Sequence, residues 1–344
     1  MTDYPYTVVG AGAIGGTLAA HLDAAGVPVQ LVDADARHVE AIRKNGLRIK
    51  GPAGTMVAHI PVYGLDDAPE RLERVLLAVK AQATDTAAAW IAPRLGDDGF
   101  VASLQNGLNE ATIAAHVGVD RTVTAFVDLF ADVLEPGIIS DGGIGAIALG
   151  EFAGGTSERV RQLADDLHHW GNPIVTDNVA GFLWSKLGFG AMLTATALAD
   201  ADMSELIDRH RPAMTELAAE VFEVAAAEGI RLEGFDAFDP AAYVRGADLA
   251  RTAEATDDLI KWLSTQTKTR SGIWRDIAVR QRPTEVPTQY KPVIQAAARH
   301  GLKLPLVEEL VSLIQKLETR TISMNEEHLV ALDAKATARK ATAR

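Results

Sequence analysis

The stretch Val8-Val9-Gly10-Ala11-Gly12-Ala13-Ile14-Gly15-Gly16-Thr17-Leu18-Ala19 decides how the rest of the chain is read. Thr7 to Val9 is a short β-branched run, and from Gly12 onward small and apolar residues recur at helical spacing, so the glycines occupy a strand-to-helix turn. In that context G-x-G-x-x-G is a dinucleotide-binding pattern. Gly10 permits the tight turn, Gly12 lets backbone N–H groups approach a pyrophosphate, and Gly15 lets the helix pack on the strand. Ala13 and Ile14 open that helix, whose free N–H donors and dipole favour negative charge. Asp33 ends the next apolar alternation, Val27 to Val32, about twenty positions on, where a carboxylate accepts hydrogen bonds from a ribose 2′-OH and repels a 2′-phosphate. NAD(H) is therefore preferred, with NADP(H) accommodated if Asp33 swings aside and Arg37 pairs with the phosphate. The plainer alternative makes Asp33 a cap in Asp33-Ala34-Asp35.

Working outward, Thr7 to about Thr176 alternates β-branched runs with helical stretches. Strands are expected at Thr7 to Val9, Val29 to Val32, Val75 to Val79 and Phe100 to Leu104, with helices from Ile14, Arg37 and Thr84. That alternation predicts a parallel sheet covered on both faces. Leu47 to Lys50 and Met56 to Ile60 read as an inserted hairpin, and runs at Val123 to Val127, Ile144 to Leu149 and Ile174 to Val175 extend the sheet. From Val179 long helical patterns dominate: Glu205 to Glu228, Leu249 to Ser264, Val286 to His300 and Leu306 to Thr319, separated by glycines and prolines. The expected class is α/β, with an N-terminal Rossmann-type parallel-sheet domain over residues 1–177 and a mostly α-helical C-terminal domain over 178–322. Residues 323–344 read as a partly disordered extension ending in a frayed basic tail, Ala334 to Arg344.

A net charge of −13 argues against nucleic acid or an anionic membrane as partner. With no cysteine, thiol nucleophiles and thiolate-held metals are excluded, and the nine histidines show no metal-binding spacing, so no metal is expected. Met1 to Tyr6 is polar, lacks a basic n-region and runs into the first strand, which predicts a cytoplasmic protein.

Lys80 and Asn106 follow the third and fourth strands, and ligands of open parallel sheets lie outside the carboxyl ends of the strands. Both are expected at the nicotinamide end of the cofactor; the bland alternative is a solvated charge and an Asn-Gly turn. Val179 to Ala199 is a long apolar stretch interrupted by Ser185, Lys186, Thr194 and Thr196. A central lysine costs about 2.5–3.5 kcal/mol in a bilayer, so a buried helix is expected instead, with Lys186 in an interdomain cleft. There desolvation would bring its amine toward neutrality and fit it for proton transfer. The alternative is a lysine that snorkels out of a core helix. Lys268 to Arg282 holds five basic residues besides Ser271 and Gly272, suited to an anionic small-molecule substrate, with Glu285 as a partner for Lys186. Read blandly, these arginines form a solvated loop.

Taken together, Gly10-Ala11-Gly12-Ala13-Ile14-Gly15, Val79-Lys80-Ala81, Gln105-Asn106-Gly107, Trp184-Ser185-Lys186-Leu187 and Asp276 through Pro283-Thr284-Glu285 resemble, in this order, the motifs of the ketopantoate reductases (2-dehydropantoate 2-reductases), from Val8 to about Thr319. The resemblance implies hydride delivery from a reduced nicotinamide to the carbonyl carbon of a 2-oxo acid. Lys186 would be the general acid, Glu285 would hold it, and Asn106 and Lys80 would position substrate and nicotinamide. Arg270, Ser271 and Gly272 join Gly190 and Thr194 at the substrate, and a homodimer fits the family. The chain departs from the pattern where Gly190 and Thr194 replace asparagines, Ser271-Gly272 replaces Ser-Ser, Pro287 and Tyr290-Lys291 follow Glu285, and Asp33 stands where an NADPH enzyme carries a neutral or basic residue. The expected function is an NAD-preferring oxidoreductase acting on a 2-oxo or 2-hydroxy acid or a similar anionic carbonyl or alcohol. The alternatives are genuine NADPH-dependent ketopantoate reduction and a non-catalytic NAD(H)-binding sensor.

Overall fold

The computed structural model describes residues 4–266 and 268–342. The chain divides into two units, Met1–Val179 and Ala180–Arg344, within two residues of the boundary expected from composition.

The first unit runs β1 (Tyr6–Val9), α1 (Ala13–Ala24), β2 (Val29–Val32), α2 (Ala36–Asn45), β3 (Leu47–Gly51), β4 (Gly54–Ala58), β5 (Val62–Tyr63), β6 (Leu72–Leu77), α3 (Thr84–Ile91), β7 (Leu95–Ser103), α4 (Glu110–Val117), β8 (Thr122–Asp128), β9 (Ala131–Glu135), β10 (Ile138–Asp141), β11 (Ala146–Glu151), α5 (Glu158–Leu167) and β12 (Asn172–Val175). Its main sheet has the order β12-β11-β8-β7-β6-β1-β2-β5. Every pair is parallel except β8 with β11. Side chains alternate across it. Val8 joins the core shared with Leu18 of α1 and Leu163 of α5, and Val9 joins the core with Ile91 of α3 and Ile113 of α4. The chain fills one flank of β1 with β2 and β5 and then returns to β6 on the other. The strand order therefore reverses between β1 and β6, the place where open parallel sheets bind ligands.

The expected hairpin is present as β3 and β4, but it belongs to a separate four-stranded sheet, β4-β3-β10-β9. The β9–β10 hairpin is a strand pair the sequence reading left out. β9 has no buried position and gives no alternation, and the pairing of the short β10 with β3 is parallel and distant in sequence.

The second unit is helical: α6 (Val179–Ala195), α7 (Met203–Arg209), α8 (Arg211–Ala227), α9 (Leu249–Thr265), α10 (Gly272–Ala278), α11 (Val286–Arg299), α12 (Pro305–Glu318) and α13 (Glu327–Thr342). The helix expected from Glu205 to Glu228 is two, divided at His210, because Pro212 lacks an N–H and fits only the first turn of α8. No single helix among the described residues is long and apolar enough to cross a membrane; α6 with its following turn and α7 pass together by composition, but bend by 97°.

The expected frayed tail is instead helix α13 as far as Thr342, with Ala343 and Arg344 outside the described residues. Leu329, Leu332 and Ala336 form a buried stripe at helical spacing. Asp333 accepts the Ala213 N–H at 2.9 Å and contacts His210 Nδ1 at 2.7 Å, while the Arg339 guanidinium meets Glu216 and Glu220 of α8. An apolar stripe and paired charges hold what composition alone presents as a polar tail.

Beyond β6 and β7 a buried polar junction fixes two strand-end loops. Gln105 Nε2 donates to the Val79 carbonyl at 2.9 Å and to the Thr84 hydroxyl at 2.7 Å, and Thr84 donates to the Ala81 carbonyl at 2.8 Å. Asn109 Nδ2 donates to the Asn106 carbonyl at 2.8 Å. The main chain on both sides of Lys80, and at Asn106 itself, is thus braced. Next to Asn109, Glu110 is 3% exposed and one of its oxygens, Oε1, has no hydrogen-bond partner among the described residues. Burial pushes its carboxyl up to about 7, against the pull of the Ser103 hydroxyl and nearby backbone N–H groups. The folded state therefore holds a proton that the unfolded chain releases near 4.5. The stability this group contributes is fully present below that value and is lost as pH rises through about 7. A shift of this size corresponds to roughly 3 kcal/mol. Glu110→Gln is expected to be more stable than the parent at pH 8, by up to about 3 kcal/mol in urea denaturation, with the gap closing toward pH 5. Lower stability of the variant at pH 8 would show that the junction does not penalise the carboxylate.

Candidate active site

The glycine turn joins β1 to α1 as the sequence requires. Gly10 has φ +99° and lies so close to β6's continuation that a Cβ on it would stand 2.8 Å from the Val79 nitrogen. A Cβ on Gly15 would stand 2.0 Å from the Gly10 carbonyl oxygen, so only glycine lets α1 pack here. Gly12, by contrast, has nothing within 4 Å of where its Cβ would be. It caps α1 with no side chain of its own, and the first turn, from Ala13 and Ile14, carries no acidic residue. A tight turn, an open side and a helix N-terminus free of carboxylates fit a dinucleotide's pyrophosphate.

Asp33 follows β2 and is pinned from two sides. Its Oδ2 accepts the Ala11 N–H at 2.7 Å and its Oδ1 accepts the Asp35 N–H at 2.8 Å. Its carboxylate is tied directly to the glycine turn. Asp35 caps α2 by accepting from the Arg37 N–H, and the Arg37 side chain is 85% exposed. Below them His38, 5% exposed, holds the turn from underneath. Its Nδ1 accepts the Gly137 N–H at 3.1 Å, so the ring proton sits on Nε2, which donates to the Ala11 carbonyl at 2.8 Å. Ala11 is therefore fixed at its N–H by Asp33 and at its carbonyl by His38. Nothing in the sequence singles out His38, because its role depends on the β9–β10 turn reaching it.

Lys80 lies in the loop beyond β6, half-buried, rather than on the strand end, and Asn106 stands exposed at the end of the β7 loop. Backbone bonds from Gly10 to Val32, from Ala78 to Val9 and from Leu104 to Leu77 bring the ends of β2, β1, β6 and β7 side by side. The eight residues expected at the cofactor, Gly10, Gly12, Ala13, Ile14, Gly15, Asp33, Lys80 and Asn106, thus share the carboxyl edge of the sheet.

In the second unit α6 is almost entirely apolar. Its less buried stripe is Phe182, Lys186, Gly190 and Leu193. At 100° per residue the last three lie within about 60° of one another around the helix, whereas Thr194 is turned about 80° from Lys186. Thr194 is 3% exposed and hydrogen-bonded to Tyr290 of α11. Tyr290, fully buried, donates its hydroxyl proton to the Leu187 carbonyl at 2.9 Å, so its oxygen accepts from Thr194. Burial raises the phenol well above its ordinary range. Gly190 also meets Tyr290, since a Cβ there would stand 3.3 Å from the phenol oxygen.

The other expected substrate residues have structural partners. Ser271 is 6% exposed and caps α10 by accepting the Trp274 N–H at 3.1 Å, with Gly272 as the first helical residue. Arg270 is bound by Asp202 and lies 3.4 Å from Asp200, so its fork faces protein carboxylates rather than standing open to a ligand. Arg280 and Arg282 are both held by Asp276, at 3.1 and 2.9 Å. Most of the expected basic cluster is thus already neutralised. Glu285 is half-buried at the N-terminus of α11, after Thr284, whose N–H and hydroxyl both donate to Glu318.

Comparison with known proteins agrees with this geometry. Residues 6–154 match the family described as "Ketopantoate reductase PanE/ApbA", and residues 178–318 match its C-terminal counterpart. A 2-dehydropantoate 2-reductase of Halobacterium salinarum is 26% identical over 312 residues, 90% of this chain and 97% of that protein. The ternary structure of D-mandelate dehydrogenase with NADH and anilino(oxo)acetate has a TM-score of 0.79 at 21% identity, covering 92% of this chain and 98% of that one. A 2-dehydropantoate 2-reductase from Geobacter metallireducens GS-15 has a TM-score of 0.77 at 26% identity, covering 91% and 99%. With both family regions present in order over two successive folded units, the chain belongs to the ketopantoate reductase family and is an oxidoreductase acting on a C=O/CH–OH group.

Proposed function

We propose that the protein interconverts a 2-oxo acid and the corresponding 2-hydroxy acid with NAD(H) as the preferred cofactor. The observation that carries the chemistry is Lys186, an amine set in the half-buried stripe of an otherwise apolar helix. In the direction of reduction, a bound nicotinamide supplies the hydride. Lys186 Nζ gives a proton to the substrate's carbonyl oxygen as negative charge develops there, and takes it back in oxidation. Glu285 orients that amine. The bond from Tyr290 to Leu187 ties α11 to α6 one residue from Lys186, and Glu285 lies five residues back along α11, about 7.5 Å of helical rise. Asn106 and Lys80, on loops braced by Gln105, Thr84 and Asn109, position substrate and nicotinamide.

The cofactor preference rests on Asp33. To admit a 2′-phosphate its carboxylate must give up two backbone hydrogen bonds, each worth about 1.5–3 kcal/mol for a charged group. Arg37 at the exposed rim has too little burial to offset that loss. The likeness to D-mandelate dehydrogenase is one of fold and does not carry the choice. 2-Dehydropantoate reduction, the activity named for the Halobacterium relative, with NADPH as its cofactor here, is the second reading.

Two measurements test this. With NADH and a panel of 2-oxo acids, Lys186→Met is expected to lose at least about a hundredfold in kcat while NADH fluorescence titration gives an unchanged Kd. A variant that retains half the parent's kcat would remove Lys186 from the chemistry. Asp33→Asn is expected to lower the ratio of kcat/KM for NADH over NADPH by about tenfold or more, one lost charge-assisted bond. A parent enzyme that already prefers NADPH would overturn the cofactor assignment.

A further inference from the structure

Gly12 is the residue of the glycine turn with the least to hold it. It has no side chain, nothing lies within 4 Å of where a Cβ would stand, and it caps α1 without a side-chain hydrogen bond. A glycine so placed can turn over the peptide that precedes it at little cost. That peptide joins Ala11 to Gly12 and is trans, as is every described peptide bond. Its carbonyl oxygen and its N–H therefore point in opposite directions. His38 Nε2 donates to the Ala11 carbonyl at 2.8 Å, so the Gly12 N–H is directed to the other side of the turn. With the peptide flipped, the Ala11 oxygen would face a bound pyrophosphate in place of that N–H, an acceptor against an anion.

His38 is itself placed from outside the main sheet. Its Nδ1 accepts the Gly137 N–H at 3.1 Å, and the Gly137 carbonyl accepts the Arg48 N–H of β3 at 2.9 Å. Gly137 has φ +78°, and a Cβ on it would stand 3.2 Å from Ala41 of α2. The small sheet reaches α1 as well. Ile139 of β10 fills the space beside Gly16, where a Cβ would stand 2.3 Å from its Cδ1, and Asp141 lies 3.0 Å from His21 Nε2. Between a carbonyl and an N–H, the group that fits is one with a donor at one end and an acceptor at the other, which neutral imidazole supplies.

We propose that His38 is a positioning residue for the cofactor: through the Ala11 carbonyl it aims the Gly12 N–H at the pyrophosphate, with the β4-β3-β10-β9 sheet as its anchor. This inference rests on the glycine turn as the dinucleotide site. It assigns the small sheet a part in cofactor binding, although β9 and β10 contribute no residue to the turn itself.

The test compares His38→Leu, which keeps neither hydrogen bond, with His38→Gln, whose amide can donate to Ala11 and accept from Gly137 as the imidazole does. In fluorescence titration His38→Leu is expected to weaken NADH by about ten- to a hundredfold, the range for one hydrogen bond to a charged group. Competition against NADH is expected to show the same loss for ADP-ribose, which carries the pyrophosphate, and less than a twofold change for adenosine, which lacks it. At saturating NADH kcat is expected to stay within about twofold of the parent, and His38→Gln is expected to return the Kd for NADH to within about threefold. Nitrogen NMR of the imidazole in the parent, which needs no variant to fold, is expected to show the proton on Nε2 both with and without NADH. A proton on Nδ1, NADH binding by His38→Leu equal to the parent's, or an equal loss for adenosine and ADP-ribose would each overturn the inference and leave the cofactor assignment standing. If the parent binds neither NADH nor NADPH, the glycine turn is not a dinucleotide site, and the inference falls with it.

Discussion

The first unit is organised by a contact in which no side chain takes part, the approach of the Gly10 main chain to the main chain of Ala78 and Val79. Any Cβ at position 10 would force β1 and β6 apart at the point where the strand order reverses, the crevice in which a pyrophosphate has to lie. The same contact fixes the start of the loop that carries Lys80. Gln105 and Thr84 then clamp that loop, and Asn109 clamps Asn106, so the position of both polar residues descends from one glycine. On the opposite side, Asp33 and His38 hold Ala11 by its N–H and its carbonyl. A turn with little side-chain substance of its own is kept in shape by neighbours on α2, the β9–β10 turn and the segment just after β2. Preorganisation of this kind lets binding energy go to the ligand rather than to ordering the loop.

What the sequence disclosed follows from the range of the interactions involved. The glycine turn and the positions of the central strands were legible because each depends on residues adjacent in the chain: φ at Gly10, packing at Gly15, alternation in Val29 to Val32. The division near residue 178 was legible because periodicity changes there from strand to helix. The β9–β10 hairpin was not legible although Pro136-Gly137 marks its turn, since β9 lies half-exposed and β10 pairs with β3 some ninety residues earlier. His38 was invisible for the same reason, its partner being Gly137. Pro212 did mark the break between α7 and α8, and the long apolar pattern across it obscured the signal. In the second unit, residue types indicated an anion site in Lys268 to Arg282, but composition cannot show that Asp200, Asp202 and Asp276 already bind those guanidinium groups. Ser271 and Thr194 were likewise identified by type, and their hydroxyls serve a helix cap and a phenol.

The departures from the family pattern at positions 190, 194 and 290 are one packing event rather than three. Tyr290's oxygen lies 3.3 Å from where a Cβ on residue 190 would be, and Thr194 donates to that same oxygen. An asparagine at 190 would have to compete with the phenol for that volume, and one at 194 would be longer than the threonine that reaches Tyr290. A tyrosine at 290 therefore calls for small residues at 190 and 194. Lys186 is not part of this exchange, because it lies about 40° around the helix from Gly190 and about 80° from Thr194. A helix that carries Lys186 at one angle and residues 190 and 194 at neighbouring angles can change its packing against Tyr290 without moving the amine. Because α6 is otherwise apolar and mostly buried, substitutions that shrink side chains elsewhere on the helix would open cavities in a packed core.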